Sequence, residues 1–167
     1  MGNFIDKTFT VIADILLKVL PASKQEKQAF SYYRSGMTAQ SKGNFVEAID
    51  NYLKALELEE DPYDRSYIFY NLGIVYAKMG KYTAALNFYH EATLLQEDFN
   101  QALNNIGAIF FYEARQAQAA NEPELAKELY DRAGEYFKEA CRISPDNYPN
   151  TINWLRVTGR ISPNENF

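Results

Sequence analysis

One histidine, His90 in NFYHEA, and one cysteine, Cys141 in KEACRIS, are the side chains of this sequence best suited to proton transfer or nucleophilic attack. A working pair would need imidazole and thiol in contact, with a third group orienting the base. About fifty positions separate the two, and neither stands in a motif of that kind. A zinc site draws on four ligands, more than one imidazole and one thiolate supply. The acidic run ELEEDPYD, residues 57–64, lacks the glycine at which a calcium loop turns, and reads as a solvated helix end and linker. No enzyme is expected, and no cofactor or metal.

Binding is the chemistry that remains, and composition narrows it. A chain of 167 residues, 47% apolar and 15% aromatic, can bury one real core. Its net charge is −5 with both signs interleaved, whereas a surface that tracks phosphates clusters its lysines and arginines, so no nucleic-acid partner is expected. With Cys141 alone, no disulfide can form within the chain, which fits a reducing compartment.

The elements that must position a binding surface emerge from NLGIVYAKMGKYTAALNFYHEA, residues 71–92. Leu72, Val75, Tyr76 and Met79 have the spacing of a buried helix face, yet Gly73 sits among them at a cost of about 1 kcal/mol relative to alanine. Repetition explains it. Aligning the stretch from Ala29 with that from Ser66 pairs Gly36 with Gly73, Gly43 with Gly80, Ala48 with Ala85, Tyr52 with Tyr89 and Ala55 with Ala92, at an offset of 37 residues. A third copy begins near Asn100, where Leu103, Ile106, Gly107 and Phe110 match Phe69, Leu72, Gly73 and Tyr76. The pattern resembles the tetratricopeptide repeat, a helix–turn–helix unit with the signature W-x2-L-G-x2-Y, then A-x3-F, then A and P.

That resemblance implies an all-α fold: a right-handed superhelical solenoid of three helix pairs, at about 29–62, 66–99 and 100–145, within a repeat region of 22–145. Helices pack closely where Gly73 meets the neighbouring helix near Ala85, with Phe69, Tyr76, Tyr82 and Tyr89 filling around the contact and Gly80 in the turn. The tyrosines at this spacing read as core. The third unit fits only if about 13 extra residues intervene before Phe137, Ala140 and Pro145. YEARQAQAA and LAKELYDRAGEYFKEA are rich in helix formers, and Asn121-Glu122-Pro123-Glu124 reads as a turn followed by a capping box, so the excess divides into roughly two turns per helix. The longer hairpin serves either as a second contact surface or as a stabilising device. Residues 146–167 are expected to form a capping helix, covering the stack with Ile152, Trp154 and Leu155, followed by a frayed tail ISPNENF.

Ahead of the repeats, Ser23-Lys24-Gln25-Glu26 is a capping box after Pro21, and residues 1–21 read as an amphipathic helix. Phe4, Ile5, Phe9, Val11, Ile12, Ile15, Leu16, Val19 and Leu20 fall on one broad arc, with Lys7, Asp14 and Lys18 opposite. Charges interrupt any span of the roughly 20 apolar residues that would cross a bilayer, and the segment does not look like a cleaved signal. Three covers fit the arc: the first repeat, a membrane interface, or a partner protein.

In repeats of this kind the first helix of each unit lines a concave groove. Register places Tyr33 and Met37 there from unit one, Tyr70, Asn71 and Ile74 from unit two, and Asn104, Asn105, Ala108 and Phe111 from unit three. Members that bind the acidic tails of heat-shock chaperones clamp the terminal carboxylate with Lys and Asn early in the groove. Tyr33 and Met37 stand at those positions, and only Asn71 and Lys78 fit. Tyrosines and amides suit instead an extended or helical client segment, held by apolar anchors and hydrogen bonds to its backbone.

GNFIDKTF, EKQAFSYYRSGM, DPYDRSYIFYNLG, NQALNNIGAI, the elongated third unit and NYPNTINWLRVTGR together resemble the photosystem I assembly proteins of cyanobacteria and plastids. The likeness covers nearly the whole chain. It implies a non-catalytic assembly factor, peripheral on the stromal or cytoplasmic face of the thylakoid membrane. Its partners would be newly made photosystem I reaction-centre and peripheral subunits and other assembly factors. The alternative is a general peptide-binding adaptor that recruits chaperones.

Overall fold

Serine, proline and glycine mark several of the points at which the helices start and stop, among them Ser23, Pro62, Pro123 and Pro149 at starts and Gly43, Gly80 and Gly159 after ends. The computed structural model describes residues 23–165, and among them every regular element is helical. The proposed N-terminal helix lies outside the described residues. Two compact units divide between Asp61 and Pro62.

The first unit is a pair, α1 (Lys24–Ser41) and α2 (Phe45–Leu58). Ser23 caps α1 reciprocally: its Oγ accepts from the Glu26 amide at 3.1 Å, and Glu26 Oε2 accepts from the Ser23 amide at 2.6 Å. The helix ends at Gly43, whose φ of +79° suits a residue without a Cβ. There the Gly43 amide donates to the Gln40 carbonyl and the Asn44 amide to that of Ala39, satisfying acceptors the helix end would otherwise leave bare. Ala29, Gly36 and Ala39 of α1 and Ala48, Tyr52 and Ala55 of α2 are buried. Tyr52 has its phenol raised by burial and then by Tyr33, and donates to Gln40 Oε1 at 2.8 Å. The open end is tied by Gln25, whose Nε2 donates to the Leu58 carbonyl at 2.9 Å.

The second unit holds α3 (Pro62–Lys78), α4 (Tyr82–Leu95), α5 (Asn100–Ala119), α6 (Pro123–Ile143), a 3-10 turn at Pro145–Asn147, and α7 (Pro149–Val157). The turn after α3 repeats the geometry of the first unit with Gly80 at φ +72°. After α5 the same position is held by Asn121 at φ +61°, where the short amide side chain tolerates the left-handed region. The capping box expected beside it does not form. Glu122 is the N-cap and makes no side-chain bond, and the first turn of α6 relies on Pro123 and Glu124 instead.

One contact recurs in all three pairs, and it corrects the expected neighbour of Gly73. A Cβ there would meet Cδ1 and Cε1 of Tyr89 at 2.5 Å, one turn beyond Ala85. Equivalent positions on Gly36 and Gly107 would meet Tyr52 and Phe137, each at 2.7 Å. The glycine makes room for a ring, while Ala85 is buried beside it.

This contact also gives a common register for the third pair. Gly73 lies five residues before its helix end at Lys78, and Gly107 twelve before Ala119. Tyr89 lies seven residues after Tyr82, and Phe137 fourteen after Pro123. Towards the turn that joins them, each helix of the third pair therefore runs seven residues farther past this contact, about two turns.

Helix α7 covers the end of α6. Leu155 is fully buried, and Trp154 meets Phe111 and Phe137 edge-on at 5.4 and 5.6 Å. Beyond it Ile161, expected to open a frayed tail, is packed instead. The chain reverses at Gly159, Ile161 is 5% exposed, and Arg160 lies in the notch left by Gly134. Arg160 bonds Asp131 at 2.8 Å and covers the Trp154 ring at 4.8 Å, which holds this segment against α6.

Candidate protein-binding face

Each helix pair needs an aromatic wedge, and in the second unit that wedge also organises the residues expected to meet a client. Tyr89 has its ring over Gly73, while its hydroxyl accepts a hydrogen bond from Asn105 Nδ2 at 3.3 Å. Tyr70 packs against the same ring at 5.9 Å and against Phe99 at 4.9 Å. The structure thus brings Tyr70 of α3 and Asn105 of α5 together through one tyrosine of α4. Burial, more than the neighbouring Tyr70, raises the Tyr89 phenol, so it stays a neutral hydrogen-bonding group.

The remaining expected residues have varied surroundings. Asn71 Nδ2 donates to the Tyr67 carbonyl at 3.0 Å, and Ile74 packs against the core from a half-buried position. Asn104 is half-buried and Ala108 exposed. Phe111 is half-buried, with Tyr130, Phe137 and Trp154 around its ring, so it also contributes to the join between α5, α6 and α7. In the first unit Tyr33 and Met37 are half-buried on α1, with the Tyr33 ring 5.9 Å from Tyr52.

Sequence reasoning missed the aromatic extension of this face. Tyr63 and Tyr67 stack edge-on at 5.1 Å, and Tyr67 meets Phe99 at 4.8 Å. The hydroxyl of Tyr148 donates to Asn100 Oδ1 at 2.6 Å, and its phenol is pushed up to about 12 by burial, with Tyr70 and then Cys141 adding. A signal for the first part was present, since Tyr63, Tyr67, Tyr70 and Ile74 follow the four-three-four spacing of one helix stripe. None was present for Tyr148, which reaches Asn100 from 48 residues away.

His90 and Cys141 sit on different helices, α4 and α6. Burial, and secondarily Arg132, lowers the basicity of His90, which lies 6.0 Å from the Tyr136 ring. Cys141 is fully buried, and burial pushes its thiol up to about 11, leaving it protonated and unreactive near neutral pH. The face that remains offers rings, hydroxyls and amides. It can anchor apolar side chains and bond a peptide backbone.

Residues 27–98 match the tetratricopeptide-repeat family model. Over 167 aligned residues the chain is 63% identical to photosystem I assembly protein Ycf3 of Phaeodactylum tricornutum, covering 98% of this chain and 99% of that one. It is 58% identical over 158 residues to the protein of the same name from Guillardia theta, covering 95% and 92%. For that from Rippkaea orientalis it is 53%, covering 95% and 91%. Two solved structures share the fold at a TM-score of 0.61. The first tetratricopeptide domain of Spaghetti (RPAP3) bound to HSP90 peptide SRMEEVD is 21% identical, covering 81% of this chain and 95% of that one. The Arabidopsis OM64 tetratricopeptide domain is 15% identical, covering 82% and 99%.

Proposed function

Because the chain belongs to the family of photosystem I assembly protein Ycf3, we propose that it works in photosystem I assembly as a non-catalytic scaffold. The observation that carries this reading is the 63% identity to the Phaeodactylum tricornutum protein across essentially both full lengths. The tetratricopeptide fold supports protein binding as the means. The first helices of the second and third repeats, α3 and α5, hold a segment of a newly made photosystem I subunit, with Tyr70 and Ile74 as apolar contacts and Asn104 and Asn105 bonding its backbone. Among the described residues no helix is long and apolar enough to cross a membrane. In this reading the contact with the thylakoid is peripheral, on the stromal or cytoplasmic face, and made by the apolar arc of residues 1–21.

The test uses Ala108→Arg together with Asn104→Ala, which change exposed or half-buried positions and spare the wedge residues. The tagged full chain is used to capture proteins from a photosynthetic extract. Photosystem I subunits should be recovered with the parent and fall several-fold with the variant, at an unchanged melting temperature. Capture of a chaperone through its acidic tail, with no photosystem subunits, would overturn the reading in favour of an adaptor. Removing residues 1–21 should release the protein from the thylakoid fraction; unchanged partitioning would reject that segment as the anchor.

A further inference from the structure

We propose that the tip of the third helix pair is a second docking surface, which takes an apolar segment of a partner protein flanked by lysine or arginine. The register set by the glycine–aromatic contact identifies the additional residues as 113–119 of α5 and 123–129 of α6. Between them runs an open groove of about 470 Å³. Ala117, Leu125 and Leu129 of its lining belong to the added turns, and Ala120 to the turn displaced outward by them. The groove therefore exists because both helices were lengthened, and it is separate from the face assigned to the photosystem I client.

Holding the added turns together does not account for this surface. Ala114, Ala117, Ala126 and Leu129 are buried within the pair, and Tyr130 donates to Gln118 Oε1 at 3.0 Å across it. Leu125 is left 44% exposed beside small alanines that leave space for an incoming side chain. The charged side chains of the lining are Glu113 and Glu122, and no lysine or arginine is among them. An apolar floor with carboxylates at its rim complements a segment that carries leucine-sized side chains beside cations. It disfavours an acidic tail or an anionic bilayer.

The experiment titrates the isotopically labelled full chain with a synthetic amphipathic leucine–lysine peptide, and with its leucine–glutamate counterpart, while amide resonances are followed. Shifts should concentrate in residues 113–129 with the lysine peptide, and the glutamate peptide should bind at least tenfold more weakly. Leu125→Glu, and separately Glu113→Lys with Glu122→Lys, should each weaken the lysine peptide about tenfold with the circular dichroism melt retained. Equal binding of the two peptides, shifts centred elsewhere, or no loss in either variant would overturn the proposal. So would the same shifts produced by anionic vesicles, by raising the protein concentration alone (a second copy), or by removing residues 1–21 (the chain's own segment). The client capture described above is read independently, so failure of one leaves the other standing.

Discussion

The ring of Tyr89 occupies the space that a side chain on Gly73 would need, with Cδ1 and Cε1 2.5 Å from the Cβ position, and the hydroxyl of the same tyrosine accepts from Asn105. One residue thus closes a helix pair and orients an amide of the next pair. A change at Gly73 should be felt in both places, because the ring cannot move without moving the oxygen that holds Asn105.

Gly73→Ala should destabilise the protein despite the better helix propensity of alanine. Forcing a methyl group against the ring costs about 1–3 kcal/mol, against a propensity gain of about 1 kcal/mol. Urea denaturation at constant m-value measures the difference. Adding Tyr89→Leu should recover part of the loss, and Gly73→Leu should leave no cooperative transition. A neutral or stabilising Gly73→Ala would contradict the close packing described.

Arg160→Ala should loosen the C-terminal segment before the rest of the molecule. It removes the ion pair to Asp131, the cover over Trp154 and the packing in the Gly134 notch, together about 1–2 kcal/mol. Native-state hydrogen exchange should show faster exchange confined to 149–161. Gly134→Ala should have the same pattern, because its Cβ would fall 2.7 Å from Cδ of Arg160 and push that side chain out. Uniformly raised exchange in either variant would contradict the picture.

His90 should make stability fall as the pH drops from about 7 towards 5. Its folded form is less basic than the unfolded reference of about 6.5, through burial first and Arg132 second. In that window the unfolded chain binds more protons, so unfolding gains as pH falls, whereas above the unfolded value the penalty is absent. Arg132 and Tyr136, both of α6, are the groups identified beside the imidazole. Melting temperatures across this range should decline less for His90→Gln than for the parent; parallel curves would remove His90 from the account.

The repeat was legible because small and large residues recur in order. Gly36, Gly73 and Gly107 could be recognised from spacing alone, as could the turn glycines Gly43 and Gly80. The extension of α5 and α6 towards their turn was also readable, since helix-forming composition runs through both and breaks only around residues 121–123. Other features were not. Spacing along α4 offers Ala85 and Tyr89 equally as the neighbour of Gly73, and only the crossing of the two helices selects the ring. Register put Phe111 on the binding face, but could not show that Trp154, 43 positions later, packs edge-on against its ring. Ile161 looked like a tail residue because nothing near it in sequence announces the Gly134 notch beside which its neighbour Arg160 rests.

From its sequence alone this protein is a set of helical pairs with glycine-marked contacts, because helix periodicity, capping and turn chemistry act over a few neighbouring residues. The tertiary structure decided which rings fill those contacts, which distant side chains pack against the face residues, and that lengthening one pair opens an acidic-rimmed groove at its tip. Those outcomes depend on side chains far apart in the chain meeting in space, and local preferences carry no information about such meetings.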